Sequence, residues 1–382
     1  MTRDTLKVRF PVIRLFEAPA VALSPASVLI GMIASVLLGL LGWIVNDILP
    51  LDESMAESMA TDRKDYIDAD VRFDRWGNAK LLRPWTSVVD PAISILTVSP
   101  LKQEKPNTTR AVAARGCHSL IQFGLALGLW SCCGTILCRR SAQLFNGDDE
   151  STVWRAISYS IPRVRYSLGA PAIPLVAAGM IGVAFIITGF VGRMPGLGQT
   201  GLMLASPVLV VAGLAMTFLL LATAFGWPLM IAAIATDDCD SFGGLSRAYS
   251  GLTGRPWHMA GFTMAGLMIG GLLMRIVDFV VGITAANIIV PIAFSAGEVH
   301  AFASLQEPLA RLFSLLANGI GISSFWSIST VVYLLLRREV DGVPLERLAM
   351  DDELRPVREP FPVVGIPATD VSNSPDGTTK AG

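Results

Sequence analysis

Six long apolar stretches constrain the fold of this chain more than any other feature. They cover residues 27–48, 117–138, 169–191, 205–235, 259–289 and 312–336. A helix needs about 20 mostly apolar residues to cross the hydrocarbon core of a bilayer, and each stretch meets that length. With 52% hydrophobic and only 16% charged residues, the chain is too apolar for a soluble protein of 382 residues. The sequence predicts an all-α, polytopic integral membrane protein with six transmembrane helices.

Charged residues in the connecting loops predict the orientation. Four basic residues precede the first stretch, and Arg139, Arg140, Arg155, Arg163 and Arg165 separate the second from the third. Arg247 and Arg255 separate the fourth from the fifth, and Arg337 and Arg338 follow the sixth. Because basic residues in short loops stay on the cytoplasmic side, residues 1–26 and 337–382 are predicted to be cytoplasmic. The first stretch lacks a small-residue cleavage site and is interpreted as an uncleaved signal anchor.

The two segments outside the spans are harder to interpret. Residues 50–116 are predicted to form a long extracytoplasmic loop, with a charged helix at its start, then a Pro-punctuated stretch and a polar linker. We expect a cap packed on the membrane surface rather than an independent domain, because the loop has little apolar pattern. The tail after about residue 358 is rich in Pro, Ser, Thr, Asp and Gly and is predicted to be disordered.

The loops after the second and fourth spans resemble two copies of one unit. Aligning Ser151 with Ser241 also aligns Tyr159 with Tyr249 and Ser160 with Ser250, and an acidic pair precedes each copy. The pattern predicts a duplication of a helix, an interfacial segment and a helix, with repeats at 117–191 and 205–289.

In the second copy, Phe242, Leu245 and Tyr249 fall on one face of a helix, which favours a short helix in the headgroup layer. Asp237 and Asp238 precede that helix, and either Asp240 or Ser241 could cap its N-terminus.

Candidate functional residues fall into two groups. Arg275 and Asp278 lie in the fifth apolar stretch, where an isolated charge costs roughly 2.5–3.5 kcal/mol, and their spacing of three allows them to pair on a helix. They could belong to a transport site or form a structural ion pair. The second group lies in the cytoplasmic loops and could bind lipid or a partner, or could cap and anchor helices. Its members are Arg155, Arg163, Asp237, Asp238, Asp240, Arg247, Tyr249 and Arg255.

Motifs for chemistry are sparse. The three histidines and five cysteines are scattered, and no HExxH, CxxC, GxSxG or Walker pattern occurs. Small residues in the runs 31–39 and 124–128 favour close helix packing. We predict a non-enzymatic protein without a cofactor or metal, whose partners are membrane lipids or another membrane protein and not nucleic acid. The alternative is a small-molecule or ion transporter, in which residues 259–289 could be two half-helices.

The run FGWPLMIAAIATDDCDSFGGLSRAYSGLTGRPWH, at residues 225–258, resembles the signature of a group of uncharacterised polytopic membrane proteins of planctomycete bacteria. The run FWSISTVVYLLLRREVDGVPLERL, at 325–348, is similar to the last helix of that group. The resemblance covers residues 129–350 and implies a bacterial inner-membrane location and a duplicated helical architecture, but no activity. The first repeat departs from the group, with Arg139 or Arg140 in place of an arginine that follows a glycine-rich run.

A fainter resemblance links the chain to the membrane domain that precedes some glycerophosphodiester phosphodiesterases. That domain carries no catalytic residues itself. The resemblance therefore implies a membrane location and adds no candidate active-site residue.

Overall fold

A computed structural model describes residues 11–49, 78–97, 108–147, 152–194, 197–296, 299–343 and 345. Within these ranges the regular elements are helices and no strand occurs. Six helical segments among them are long and apolar enough to cross a membrane: Pro25–Ile48, Gly116–Phe145, Val153–Gly192, Thr200–Asp237, Pro256–Ile292 and Glu307–Asp341. Each contains one of the six predicted spans or nearly all of it. The all-α, six-span membrane architecture is therefore confirmed.

The helical elements are as follows, in chain order. A 3₁₀ helix at Pro11–Glu17 comes first, followed by α1 (Ala18–Ala22), α2 (Pro25–Ile48), α3 (Asn78–Leu81), α4 (Arg83–Thr97), α5 (Thr108–Phe145), α6 (Val153–Ser160), a 3₁₀ turn at Ile161–Arg163, α7 (Val164–Gly192), α8 (Leu197–Asp237), α9 (Ser241–Gly254), α10 (Pro256–Ala296) and α11 (Val299–Asp341). Both loops of the proposed repeat thus contain a short helix, α6 and α9. The charged start of the long loop and the C-terminal tail lie outside the described residues.

Local sequence explains where several helices begin and end. Ser24 caps α2 by accepting a hydrogen bond from the backbone N–H of Ser27, and Pro25 occupies the first helical position. Helix α8 ends at Asp237, and the next residue, Asp238, has a left-handed backbone with φ of 51°. Helix α10 starts at Pro256, which lacks the N–H that would continue α9. These signals separate α8, α9 and α10 although only a few residues lie between them.

Helix α11 lies at the centre of the helix bundle. It packs against α2, α5, α8 and α10, and nearly all of its apolar stretch is buried. Trp326 of α11 contacts Trp227 edge-on, with ring centroids 5.5 Å apart, and Trp130 at 6.2 Å. All three indoles are almost fully buried. Since lipid is as apolar as these side chains, tight packing rather than exclusion from water holds the helices together.

Glycine permits the closest approaches to α11. A Cβ at Gly31 would overlap the carbonyl of Gly319, and a Cβ at Gly134 would lie 2.6 Å from the Trp326 ring. The expected packing role is therefore confirmed for Gly31. It is wrong for Gly39, Gly124 and Gly128, where an added Cβ would meet no described atom within 4 Å. Glycine frequency alone does not distinguish a helix contact from an open face.

Helices α3 and α4 lie inside the bundle and are not a cap over it. Leu81 is fully buried, and its side chain occupies the space that a Cβ of Gly270 would need, 2.7 Å away. The carbonyl oxygen of Lys80 lies 2.6 Å from the corresponding point at Gly321. The Trp85 indole donates to the carbonyl of Ala224 at 2.8 Å. Non-helical backbone at this position is tolerated because protein surrounds it.

Helices α7 and α8 expose apolar surface along most of their length. Met203 and Leu204 of α8 are 78% and 85% exposed, and only a small part of either apolar stretch is buried. Such a surface in water would favour aggregation; in a bilayer it faces acyl chains. Helix α10 is continuous from Pro256 to Ala296, so the alternative of two half-helices at 259–289 is wrong.

Candidate functional site

Most of the predicted site residues meet at one end of the bundle, which we call the basic end. It consists of α6, α9, the last turns of α5, α8 and α11, and the first turns of α7 and α10. Nine arginines lie there: Arg139, Arg140, Arg155, Arg163, Arg165, Arg247, Arg255, Arg337 and Arg338. Arg275 and Asp278 lie elsewhere, near the middle of α10.

The Asp237 cluster consists of Asp237, Arg247, Tyr333 and Arg337. Asp237 is the last residue of α8, and its side chain is 6% exposed. Its carboxylate accepts hydrogen bonds from the guanidinium groups of Arg247 and Arg337 and from the Tyr333 hydroxyl. One buried anion therefore joins the ends of α8, α9 and α11. Charge-assisted hydrogen bonds of this kind are the strong ones in proteins.

The two arginines of the cluster differ in exposure. The Arg337 side chain is 4% exposed, whereas that of Arg247 is 41% exposed. Burial lowers the pKa of Arg247, but the Asp237 carboxylate, Tyr333 and Cys239 together more than offset this and raise its pKa above the ordinary value for arginine. With two cations against one carboxylate, the cluster has a net positive charge. Its outer face is the guanidinium of Arg247.

Asp238 belongs to a second set of contacts beside the cluster. Its carboxylate accepts a hydrogen bond from Arg163 at 2.5 Å, and Arg163 also donates to the carbonyl of Tyr159 at 2.7 Å. The Tyr159 ring lies between two guanidinium groups, with Arg139 3.8 Å and Arg163 3.7 Å from its centroid. Cation–π contacts of this type are strongest when they are shielded from water, and Tyr159 and Arg139 are buried.

Asp240 caps helix α9. Its side chain accepts a hydrogen bond from the backbone N–H of Gly243 at 2.8 Å, and its own backbone is extended. Ser241, the other predicted cap, instead donates its hydroxyl to the carbonyl of Tyr166 on α7 at 3.0 Å. Of the three clustered carboxylates, Asp237 and Asp238 form ion pairs and Asp240 caps a helix.

The predicted apolar stripe on α9 does not lie on one lipid-facing surface. Leu245 and Tyr249 pack against the core, and the Tyr249 hydroxyl lies 3.4 Å from that of Thr223 on α8. Phe242 is 66% exposed. Arg255 lies just after α9 and reaches Glu339 on α11 at 3.6 Å. Most of the α9 side chains that were predicted to lie at the membrane surface therefore hold α9 to the bundle instead.

Outward-facing aromatic residues surround this end. Trp154 on α6 is 73% exposed and Trp257 at the start of α10 is 85% exposed. Arg155 is exposed beside Trp154, and Arg165 is exposed where its guanidinium lies 4.7 Å from the ring centroid of Tyr166. Tryptophan side chains are enriched at the boundary between water and acyl chains, and arginines beside them can contact lipid phosphates.

Asp278 pairs with Lys80 and not with Arg275. The Lys80 ammonium lies 2.6 Å from the Asp278 carboxylate, and both side chains are about one third exposed. Arg275 lies on an exposed face of α10, with the lipid-facing Leu272 and Ile276. The predicted pairing was wrong because α3, which carries Lys80, inserts between the spans. The ion pair holds this inserted helix to α10.

Sequence reasoning missed Tyr333, Arg337 and Lys80 as partners in these sites. A weak signal existed for two of them, because Tyr333 and Arg337 are four residues apart and share a helix face next to the end of the sixth span. Asp237 lies 100 residues from Arg337 along the chain. No local pattern connects residues at that separation.

Cys239 follows the two ion-paired residues Asp237 and Asp238 in the chain. The pKa of its thiol is raised to about 11, mainly by burial; Arg247 opposes this rise, and the Asp237 and Asp240 carboxylates contribute to it. The thiol is therefore protonated and weakly nucleophilic at neutral pH. Among the residues that the structure describes, no group of three His, Cys, Asp or Glu side chains is placed to hold a metal ion.

Comparisons with known proteins give no relative from which a role could be inferred. No family model, no curated protein and no solved structure matches this chain.

Proposed function

We propose that this protein is a non-enzymatic scaffold of a bacterial inner membrane that holds anionic lipid headgroups at its basic end. The single observation that carries the proposal is the exposure of Trp154 and the adjacent Arg155 on α6, together with the exposure of Trp257 at the start of α10. The indoles suit the interfacial depth and the guanidinium suits the phosphate of a lipid.

The contacts of the carboxylates support a non-enzymatic role. Asp237, Asp238 and Asp240 are the acidic residues from which a reaction site at this end could have been assembled. Two of them form ion pairs and the third caps α9. Asp237 joins α8, α9 and α11, Asp238 joins the end of α8 to the turn before α7, and Asp240 caps α9, so proton transfer from any of them to a substrate would break a structural contact.

The distribution of arginine supports an orientation with the basic end in the cytoplasm. Nine arginines lie at this end, and the positive-inside rule places such a surface on the cytoplasmic side. The cytoplasmic leaflet of bacterial membranes offers anionic headgroups there, and each arginine near such a surface contributes about 1 kcal/mol.

The structure changes which arginines we assign to lipid. Arg163, Arg247 and Arg255 were candidates, but each lies close to a carboxylate of the protein. Arg155 is exposed directly after the exposed Trp154 on α6, and Arg165 is exposed at the start of α7; we assign headgroup contact to them first because of this exposure.

Lipid retention tests the proposal. The protein is reconstituted with equal amounts of phosphatidylglycerol and phosphatidylcholine, extracted into mild detergent, and its bound lipid is quantified by mass spectrometry. We expect wild-type protein and the control variant Arg193→Gln to retain an excess of phosphatidylglycerol, because Arg193 lies beyond the far end of α7. Combined Arg155→Gln and Arg165→Gln substitutions are expected to reduce that excess several-fold.

An unchanged excess in the double variant would overturn the lipid assignment. Loss of a co-purifying protein from the same variant, with the lipid ratio unchanged, would also overturn it and would assign these arginines to a protein partner. Arg193→Gln also removes a positive charge. If it retains lipid as wild type does, a loss in the double variant does not come from a general loss of positive charge.

A second function, transport of a small molecule or ion, is favoured by one observation. The Lys80–Asp278 ion pair lies within an apolar stretch, where an inserted short helix meets a continuous one, and charges at membrane depth often mark transport pathways. Proteoliposomes loaded with a pH-sensitive dye would report proton movement. Flux that Asp278→Asn abolishes would favour transport, and flux equal to that of empty liposomes would exclude proton coupling.

A further inference from the structure

A polar groove lies between α2 and the N-terminal half of α11, away from the basic end. It is a shallow, widely open groove with a volume of about 480 Å³. Its polar lining consists of Ser35 on α2, Arg83 at the start of α4, and Glu307, Arg311, Ser314 and Asn318 on α11. The groove is remote from the Asp237 cluster, because Asn318 precedes Arg337 by 19 residues, about 28 Å along a helix.

Arg83 is the unusual member of this lining. In the part of the chain that the structure describes, no carboxylate lies within ion-pair distance of its guanidinium. Burial lowers the pKa of Arg83, although arginine remains protonated in proteins. A partly buried cation without a counter-ion is costly, and an anion in the groove would relieve that cost.

The rest of the lining fits the same kind of ligand. Arg311 is paired with Glu307 at 2.5 Å, so these two charges cancel and Arg83 leaves the groove with a net charge of +1. The hydroxyls of Ser35 and Ser314 and the amide of Asn318 add neutral hydrogen-bond donors. A guanidinium with several hydroxyl and amide donors is the donor set that recognises phosphate oxygens.

The position of Arg83 is fixed by the inserted helix. Leu81, two residues earlier, is fully buried and packs against Gly270, as Ile328 does, and α4 begins at Arg83 itself. Apolar side chains continue the groove outward, since Val36 of its lining and the neighbouring Leu312 are more than half exposed. Those flanks would contact acyl chains if the phosphate belonged to a lipid.

We propose that this groove is a binding site for a phosphate group, with Arg83 as its principal contact. The phosphate can come from a lipid headgroup or from a soluble phosphate compound. The site is independent of the headgroup contacts proposed for the basic end, since it shares no residue with them.

Binding to purified protein in a mild non-ionic detergent tests the site and its source. Native mass spectrometry and thermal shift are measured with three probes: phosphatidylglycerol, glycerophosphoglycerol (the same headgroup without acyl chains), and inorganic phosphate. We expect Arg83→Gln to weaken binding of the recognised probe at least about tenfold, which is the effect of losing one charged hydrogen bond. Arg193→Gln, which removes an exposed arginine outside the groove, is expected to bind as wild type does.

The three probes identify the source. Binding of phosphatidylglycerol alone that is weakened by Arg83→Gln indicates a lipid site in the groove, and Arg83-dependent binding of all three probes indicates a site for free phosphate. Binding of none of the probes, or equal binding by wild type and Arg83→Gln, overturns the proposal.

A second variant keeps the test decisive if Arg83→Gln does not fold. Asn318→Asp leaves Arg83 in place and adds a carboxylate to the same lining. Its charge cancels that of Arg83, so we expect the same loss of binding in a protein that retains its inserted helix. Retained binding in folded Asn318→Asp protein would contradict the proposal.

Discussion

Removal of the Asp237 carboxylate is the perturbation that most strongly tests the structural account of the basic end. In Asp237→Ala, the guanidinium groups of Arg247 and Arg337 and the Tyr333 hydroxyl lose their shared acceptor. Breaking a buried ion pair by deleting one partner costs about 3–5 kcal/mol. The Arg337 contact falls in that range because both side chains are nearly inaccessible.

The contribution of Arg247 to this cost is smaller. Its side chain is 41% exposed, so water replaces part of the lost interaction and the pair is worth about 1 kcal/mol or less. The total loss of folding free energy in Asp237→Ala is therefore about 4 kcal/mol. At about 2 °C per kcal/mol for a protein of this size, we expect the apparent Tm of Asp237→Ala to fall by about 8 °C.

Differential scanning fluorimetry of the protein in detergent, at one fixed scan rate, measures this shift from the buried tryptophans. The matched control is Glu307→Ala, which breaks an exposed pair with Arg311, where both side chains are more than two thirds exposed. A shift of about 1 °C is expected there. The reasoning is refuted if the two variants shift the Tm equally.

A double-mutant cycle with Arg337 adds a second check on the same cluster. If Asp237 and Arg337 stabilise the protein through each other, the double variant loses clearly less than the sum of the two single variants. Additive losses would show that each side chain acts through separate contacts.

Three further predictions concern the rest of the fold. Asp240→Ala removes the cap of α9 and is expected to cost about 1 kcal/mol, read as a small fall in Tm, whereas Ser250→Ala on the same helix should leave the Tm unchanged. Gly134→Leu places a side chain where the Trp326 ring lies, so we expect it to lower the Tm by several degrees and to change tryptophan fluorescence. Gly128→Leu, at an open position, should change neither the Tm nor the fluorescence. With a thiol pKa of about 11, Cys239 should react with iodoacetamide about tenfold faster for each pH unit between 7 and 10, and a rate that levels off near pH 8 would contradict that pKa.

The sequence was informative about features that depend on neighbouring residues. Apolar length located the six spans, and the acidic residues before Ser241 indicated the start of α9, where Asp240 is the cap. These features could be predicted because a span, a cap and a short helix are each determined within a few turns of chain. The duplication, the planctomycete resemblance and the cytoplasmic location of both termini remain predictions.

Contacts between distant segments could not be predicted. Lys80 meets Asp278 across 198 residues, and Arg337 meets Asp237 across 100. The pairing of Arg275 with Asp278 was the reasonable local prediction, and it was wrong because an inserted helix supplied a competing cation. Periodicity shows which face of a helix is polar, but tertiary packing decides which charge reaches that face.

The depth of the basic end in the bilayer tests the central claim most directly. A nitroxide is attached to W154C or W257C in the protein reconstituted into bilayers that contain phosphatidylglycerol, and its collisions with oxygen and with a water-soluble nickel chelate are measured by electron paramagnetic resonance. The account predicts that both labels lie in the headgroup layer, with intermediate access to each reagent. Full access to the nickel chelate with little access to oxygen, as in bulk water, would contradict the claim that this end holds lipid headgroups.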